Sequence, residues 1–173
     1  MDEKRLLIGS DSNGMAHVLR TDTLGRLEIV TQRPVVAARV YNNANISVPD
    51  STWTALNFNS EVFDTDGMHS SVTNTDRLTV VTPGTYLIGG QLAFAANGAG
   101  IRGIEIFLNG ATVIGEVNDI PVGTGNWRMA IAPTLYQLIA GDYLQLRAYQ
   151  TSGGDLYVNY YAAYSPVFWA VMM

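Results

Sequence analysis

Residues 57–95 read NFNSEVFDTDGMHSSVTNTDRLTVVTPGTYLIGGQLAFA and join a polar loop to a long apolar segment through a Pro83-Gly84 turn. The first half is rich in Asp and Asn. The second half, from Leu78 onward, is rich in β-branched and aromatic residues, which favour strands. Proline presets φ and glycine accepts positive φ, so the Pro83-Gly84 step predicts a tight corner between two strands. The segment therefore predicts a strand–turn–strand unit of an all-β domain.

The rest of the chain from residue 35 repeats this pattern of short apolar runs separated by turn residues. Strands are predicted over 35–41, 52–58, 78–81, 85–94, 103–108, 111–115, 127–138, 143–150, 155–161 and 166–171. Asn109-Gly110 lies between two apolar runs and predicts a hairpin, because both residues tolerate the positive φ of a type I′ turn. Strands at this spacing predict an all-β sandwich or jelly roll of about ten strands.

Residues 1–34 carry their own short apolar runs at 5–8, 15–20 and 26–30, separated by turn residues at 10–14 and 22–25. They predict a small β-meander, which is marginally stable alone and must pack on the main domain or on a partner. The alternative is that these strands belong to the main sheet. The Arg33-Pro34 step is the predicted boundary, because proline ends a ladder. The predicted domains are thus 1–34 and 35–173.

Composition limits the function classes. Charged residues make up 14% of the chain and hydrophobic residues 47%, so much apolar surface is expected to be covered by other chains. Cysteine is absent, which excludes disulfides and thiolate chemistry. Residues 35–173 hold ten acids against five arginines, and without a basic cluster we expect no nucleic-acid partner. No apolar run reaches the length of a membrane span, so we expect no membrane insertion.

From residue 35 to 173 the sequence resembles the C1q/TNF-like jelly-roll superfamily. The matching elements are Phe58, Glu61, Phe63, Asn74, Leu78, Pro83-Gly84-Thr85-Tyr86, Asn109-Gly110, Leu138-Ile139-Ala140-Gly141-Asp142-Tyr143-Leu144-Gln145-Leu146 and Ser165-Pro166-Val167-Phe168. The resemblance implies a homotrimer that binds or scaffolds and is not an enzyme. No Gly-X-Y repeat is present, so collagen-mediated functions are not expected.

Further segments resemble virion-associated members of this superfamily in tailed bacteriophages. They are residues 64–69, 97–102 and 149–154, together with 7–11 and 21–27 of the N-terminal module. This resemblance implies localisation in a virion, with residues 1–34 binding other virion proteins of the capsid or tail. The favoured function is a head decoration (cement) protein that stabilises the capsid. The alternative is a tail-tip or fibre protein that binds a host surface receptor through outer loops at 62–76, 96–102 and 117–126.

Two features of the polar loop suggest chemistry. Asp64-Thr65-Asp66-Gly67 is similar to the start of a calcium loop, so Asp64 and Asp66 are candidate calcium ligands, although Thr75 stands where an EF-hand needs glutamate. The simpler interpretation is a turn whose Asp side chains bond nearby amides. His69 has serine neighbours, but no catalytic motif surrounds it, so we expect no catalytic residue and no cofactor other than calcium. A cell-surface glycan depolymerase is a third candidate; it needs two carboxylates and stacked aromatics.

The C-terminal segment 156–171 has six aromatic residues among sixteen. Aromatic side chains are enriched at the centres of protein interfaces because they bury a large area at low entropy cost. In the family that the chain resembles, comparable strands line a threefold axis. We therefore predict a trimer interface formed by Tyr157, Tyr161, Tyr164, Phe168 and Trp169. The alternative is an ordinary core strand with exposed tyrosines.

Overall fold

The structure is a computed structural model and describes residues 6–10, 16–21, 24, 26–32, 35–162 and 164–173. Every regular element in these ranges is a β-strand, and no helix within them is long and apolar enough to cross a membrane. The chain divides into two compact units, Met1–Val35 and Val36–Met173. Arg33 and Pro34, where the sequence predicts a domain boundary, lie outside the described residues.

Among its described residues, the first unit has three strands: β1 (Leu6–Ser10), β2 (Ala16–Thr21) and β3 (Leu27–Gln32). They pair antiparallel in the order β1-β2-β3. Each strand lies within a residue or two of a predicted apolar run, which confirms the small N-terminal β-meander.

The second unit contains thirteen strands in two antiparallel sheets. Their bounds are β4 (Ala37–Tyr41), β5 (Ile46–Val48), β6 (Thr54–Ala55), β7 (Ser60–Asp64), β8 (Leu78–Thr79), β9 (Gly84–Phe94), β10 (Arg102–Leu108), β11 (Thr112–Asp119), β12 (Trp127–Ala130), β13 (Thr134–Leu138), β14 (Tyr143–Gln150), β15 (Leu156–Val158) and β16 (Val167–Met172).

The eight-stranded sheet has the order β5-β15-β9-β16-β4-β7, with β12 and β13 paired to the other side of β9. The five-stranded sheet has the order β11-β10-β14-β6, with β8 also paired to β14. Strands distant in sequence are thus neighbours in space, as in a jelly roll. The predicted all-β jelly-roll fold is confirmed.

The core lies between the two sheets and follows the period-two alternation of each strand. On β14 the buried apolar residues are Leu144, Leu146 and Ala148, each separated from the next by a partly exposed residue. The Pro83-Gly84 corner is fixed from inside the same core: Tyr86 is fully buried and its hydroxyl donates to the carbonyl of Thr82 at 2.5 Å. The corner therefore starts the long central strand β9, as the sequence predicts.

Three differences from the predicted strands have physical reasons. The segment 127–138 forms two strands instead of one, because it contains Pro133, which has no N–H for the ladder. The strands β5 and β7 were not predicted. β5 has only three residues, and β7 overlaps the start of the segment 62–76, which the sequence predicts as a loop. The Asn109-Gly110 hairpin is confirmed, with φ of 53° and 66°.

Candidate functional site

The outward surface of the eight-stranded sheet carries three rows of side chains that the strand register places side by side. The rows follow from Cα pairing across β7, β4, β16, β9, β12 and β13. They consist of Ala37, Val171, Leu87 and Leu135; of Phe63, Arg39, Trp169 and Gly89; and of Tyr41, Val167, Gln91 and Ala130. We call this surface the apolar face.

Trp169 lies at the centre of the apolar face because its neighbour on β9 has no side chain. A Cβ added to Gly89 would stand 2.4 Å from Cζ2 of Trp169, so only glycine lets the indole ring rest on the strand. The close approach fixes the ring on the surface of the sheet while leaving it partly exposed.

Two grooves open on the apolar face, on either side of Gln91. The larger, of about 260 Å³, is lined by Arg39, Phe63, Gln91, Val167, Trp169 and Val171. The smaller, of about 170 Å³, is lined by Gln91, Leu92, Arg128, Met129, Ala130 and Tyr164. The side-chain amide of Gln91 donates to the carbonyl of Tyr164 at 2.8 Å, and this bonded side chain lies between the two grooves. Each groove has one arginine and no acid among these lining residues.

The outward surface of the five-stranded sheet, which we call the polar face, has the opposite character. Glu105 and Arg147 pair there at 3.0 Å, next to Glu116. Burial raises the pKa of Glu105, and the charge of Glu116 raises it further, while Arg147 acts in the opposite direction. The polar face thus carries an ion pair and a further carboxylate, whereas the three rows of the apolar face contain a single charged residue, Arg39.

The aromatic residues predicted to line an interface divide between surface and core. Trp169 lies on the apolar face, and Tyr157 is 53% exposed. Tyr161 and Tyr164 are partly exposed and stack with ring centroids 5.4 Å apart, and the guanidinium of Arg128 lies 5.1 Å from the Tyr164 ring.

Phe168 differs from the other four. It is fully buried in its own chain, and its ring lies 5.9 Å from that of Phe58. It therefore has no surface to offer another chain, and its predicted place in an interface is corrected. The reason is strand alternation: Phe168 and Trp169 are consecutive on β16 and point to opposite sides of the sheet.

The predicted calcium ligands fasten the polar loop to the Pro-Gly corner. The two carboxylate oxygens of Asp64 accept bonds from the backbone N–H groups of Asp66 and His69 at 3.1 and 2.8 Å. Those of Asp66 accept from the N–H and the hydroxyl of Thr82 at 3.0 and 3.1 Å. Across the described ranges, no three His, Asp or Glu side chains are grouped so as to hold a metal ion. The turn interpretation accounts for these bonds, and calcium binding stays a prediction.

His69 is also held structurally. Its buried ring has Nδ1 2.8 Å from Oε1 of Glu61 and Nε2 3.4 Å from the carbonyl oxygen of Thr75. The hydroxyl of Ser70 instead accepts bonds from the N–H groups of Val72 and Thr73. The structure thus brings His69 to a carboxylate and a carbonyl, which ties β7 to the loop that follows it.

The groove residues Arg39, Phe63 and Val171 were missed by sequence reasoning. They lie on three strands that are far apart in sequence, and only the strand pairing shows that they are neighbours. A weak signal was present at Gly89-Gly90, because glycine inside a strand often marks the close approach of another group.

Comparison with known proteins gives a likeness of fold. No family model matches the chain, and no curated protein matches it. Among solved structures, Eiger TNF from S. frugiperda is 16% identical with a TM-score of 0.61, covering 82% of this chain and 94% of that one. Murine APRIL at pH 8.5 is 12% identical with a TM-score of 0.60, covering 81% of this chain and 100% of that one. The structure of murine APRIL at pH 8.0 is similar, with 13% identity and a TM-score of 0.61. The second unit therefore has a TNF-like jelly-roll fold.

Proposed function

We propose that this chain is a structural and binding protein, not an enzyme, and that it assembles as a homotrimer through its apolar face. The observation that carries the proposal is the contrast between the two faces of the sandwich. Leu135 is 58% and Phe63 42% exposed on the apolar face, beside the partly exposed Trp169. Contiguous apolar surface of this kind marks a contact with another protein. The TNF-like fold supports the trimer, because the superfamily that the sequence resembles usually works in that form.

The placement of charge favours a closed ring over a face-to-face dimer. Two apolar faces meeting symmetrically would enclose Arg39 and Arg128 of both copies in one contact, to which the groove linings bring no acid, and like charges in a buried contact are destabilising. A heterologous contact avoids this and closes into a ring when the rotation allows it. Val113 on β11 and Tyr136 on β13 are 44% and 37% exposed and lie outside the rows of the apolar face, so apolar side chains for such a contact are present elsewhere on the sandwich.

Within that assembly, the proposed role is that of a bacteriophage virion protein, most simply a head decoration protein that stabilises the capsid. The sequence resemblance at 64–69, 97–102 and 149–154 supports it. The N-terminal unit supports it too, because a three-stranded sheet is marginal alone and gains stability by binding a partner. Residues 1–34 would then fix the trimer to a capsid or tail protein.

A tail-tip or fibre protein that binds a host receptor is the second candidate, and the loop at 95–101 favours it. Arg102 is fully buried beneath this loop and donates to the carbonyls of Asn97, Ala99 and Ile101. Within this loop Ile101 is 41% exposed, and Val122 in the loop 120–126 is 86% exposed. Apolar side chains on loops that are held in one conformation are typical of recognition surfaces.

Antibody-labelled electron microscopy of virions tests both roles. The particles should come from the phage or prophage whose genome encodes this chain. Labelling on the head supports decoration, labelling on the tail supports receptor binding, and particles without label contradict a virion role. A variant lacking residues 1–34 provides the matched control: it should remain a trimer but no longer attach to the particle. Attachment of this variant would place the docking surface on the jelly roll.

A further inference from the structure

Trp53 extends over the polar face, away from the core. It precedes β6 at the edge of the five-stranded sheet and reaches Gly103 on β10, across the intervening strand β14. A Cβ added to Gly103 would lie 2.8 Å from Cη2 of Trp53 and 2.5 Å from Oδ1 of Asn118. The indole ring and the Asn118 amide therefore meet above this glycine, and any larger residue there would displace one of them.

Tyr149 extends the aromatic surface. It is the cross-strand neighbour of Gly103 on β14, and its ring centroid lies 5.1 Å from that of Trp53 at an interplanar angle of 30°. Both side chains are partly exposed. An aromatic platform on the polar face adds nothing to the core between the sheets, so its presence there calls for another explanation.

Four polar side chains lie beside the platform: two form an ion pair with each other, and the other two are exposed to solvent. Glu105, with 4% of its side chain exposed, pairs with Arg147, whose guanidinium lies 4.1 Å from the Phe107 ring and 5.7 Å from the Trp53 ring. The positive charge of Arg147 thus balances the negative charge of the buried Glu105 carboxylate. Asn118 and Glu116 are exposed, and the Asn118 amide donates to the Glu116 carboxylate. They leave hydrogen-bonding capacity next to the aromatic rings.

We propose that Trp53, Tyr149, Asn118 and Glu116 form a carbohydrate-binding site on the polar face. A pyranose has an apolar C–H face that packs on an aromatic ring and a rim of hydroxyls that bond amide and carboxylate groups. Carboxylates at the site disfavour phosphate-bearing ligands. A second copy of the chain is better matched by the apolar face.

If the chain is a receptor-binding tail protein, this site makes that function more specific, because the host receptor would be a saccharide. The proposed sugar binding rests on that function only for its biological role. Its geometry is independent of the apolar face. Loss of sugar binding and loss of the trimer can therefore be observed separately.

Saturation-transfer NMR of the intact protein tests the proposal with the methyl glycosides of glucose, galactose, mannose and N-acetylglucosamine, and with the linear oligomers of glucose and of N-acetylglucosamine. We expect at least one of these probes to bind, with a dissociation constant of about 1 mM, as a shallow site allows. Trp53→Ala should weaken binding at least about tenfold, and Trp53→Phe should retain part of it. Asn118→Ala, an exposed substitution that leaves the fold intact, should also weaken binding.

Tyr160→Ala is the matched control, because Tyr160 is an exposed aromatic that follows β15 of the other sheet and is not among the residues predicted to form the trimer interface. It should bind the sugar like the wild type, and all variants should sediment like the wild type. The proposal is overturned if none of the probes shows saturation transfer, or if Trp53→Ala and Asn118→Ala bind as tightly as the wild type.

Discussion

Two adjacent substitutions on β16, Phe168→Ala and Trp169→Ala, should have opposite kinds of effect. Phe168 is fully buried and packs on Phe58, so its truncation leaves a cavity in the core. Trp169 lies on Gly89 and lines the larger groove, so its truncation removes surface that the proposed trimer buries. Phe168 should therefore stabilise the fold of a single chain, and Trp169 should stabilise the contact between chains.

The magnitudes follow from these positions. Truncating a buried phenylalanine to alanine destabilises a fold by about 4 kcal/mol, through lost transfer free energy and the residual cavity. Truncating a tryptophan at the centre of an interface reduces the binding free energy by about 2 kcal/mol, which is about 30-fold in the dissociation constant of one contact. A closed trimer has three such contacts, so its dissociation should shift strongly.

Urea unfolding followed by near-UV circular dichroism, together with sedimentation velocity, distinguishes the two effects. Trp169→Ala should give a monomer that still unfolds cooperatively in urea, at concentrations where the wild type is a trimer. Phe168→Ala should lower the urea midpoint and remain trimeric as long as it is folded. The reasoning is refuted if Trp169→Ala stays trimeric, or if Phe168→Ala yields a folded monomer.

Three further substitutions test other parts of the structure. Gly89→Val should displace the Trp169 ring, because the new Cβ would stand 2.4 Å from it, and should therefore weaken the trimer without unfolding the chain; sedimentation measures this. Arg102→Met leaves three carbonyls in the segment 97–101 without their donors and should destabilise the fold by about 3 kcal/mol in urea unfolding. Burial raises the pKa of Glu105 in the folded chain, so ionisation of this residue should lower wild-type stability as pH rises; in Glu105→Gln this pH-dependent loss should be absent.

The sign of the Glu105 effect follows from proton binding. The folded chain holds this proton more tightly than the unfolded chain does, so the contribution of Glu105 to stability is greatest below its unfolded pKa and is lost as pH rises through its higher folded pKa. Parallel urea midpoints of wild type and variant at every pH would contradict this. An unchanged trimer in Gly89→Val, or an unchanged midpoint in Arg102→Met, would contradict the other two predictions.

Local signals were sufficient to predict much of the fold. The Pro83-Gly84 corner, the Asn109-Gly110 hairpin and the strand at 143–150 each depend on residues close in sequence, and each is present where the sequence predicts it. The interpretation of Asp64 and Asp66 as turn residues that bond nearby amides is likewise local, and the structure has these bonds.

The surfaces could not be predicted in the same way, because they depend on register. The aromatic interface predicted in 156–171 shows this, because Phe168 and Trp169 are consecutive on β16 and only the register decides that Phe168 faces the core and Trp169 the surface. The platform on the polar face needs Trp53, Gly103 and Tyr149 from three separate segments. Nothing in the sequence around Trp53 indicates that its ring would lie on Gly103.

Sedimentation equilibrium of the wild-type protein tests the central claim most directly. The account predicts a particle with three times the 18.8 kDa mass of the chain, stable across a range of micromolar concentrations. A mass of 18.8 kDa at every concentration would contradict it, because the apolar face would then have no second chain to cover it.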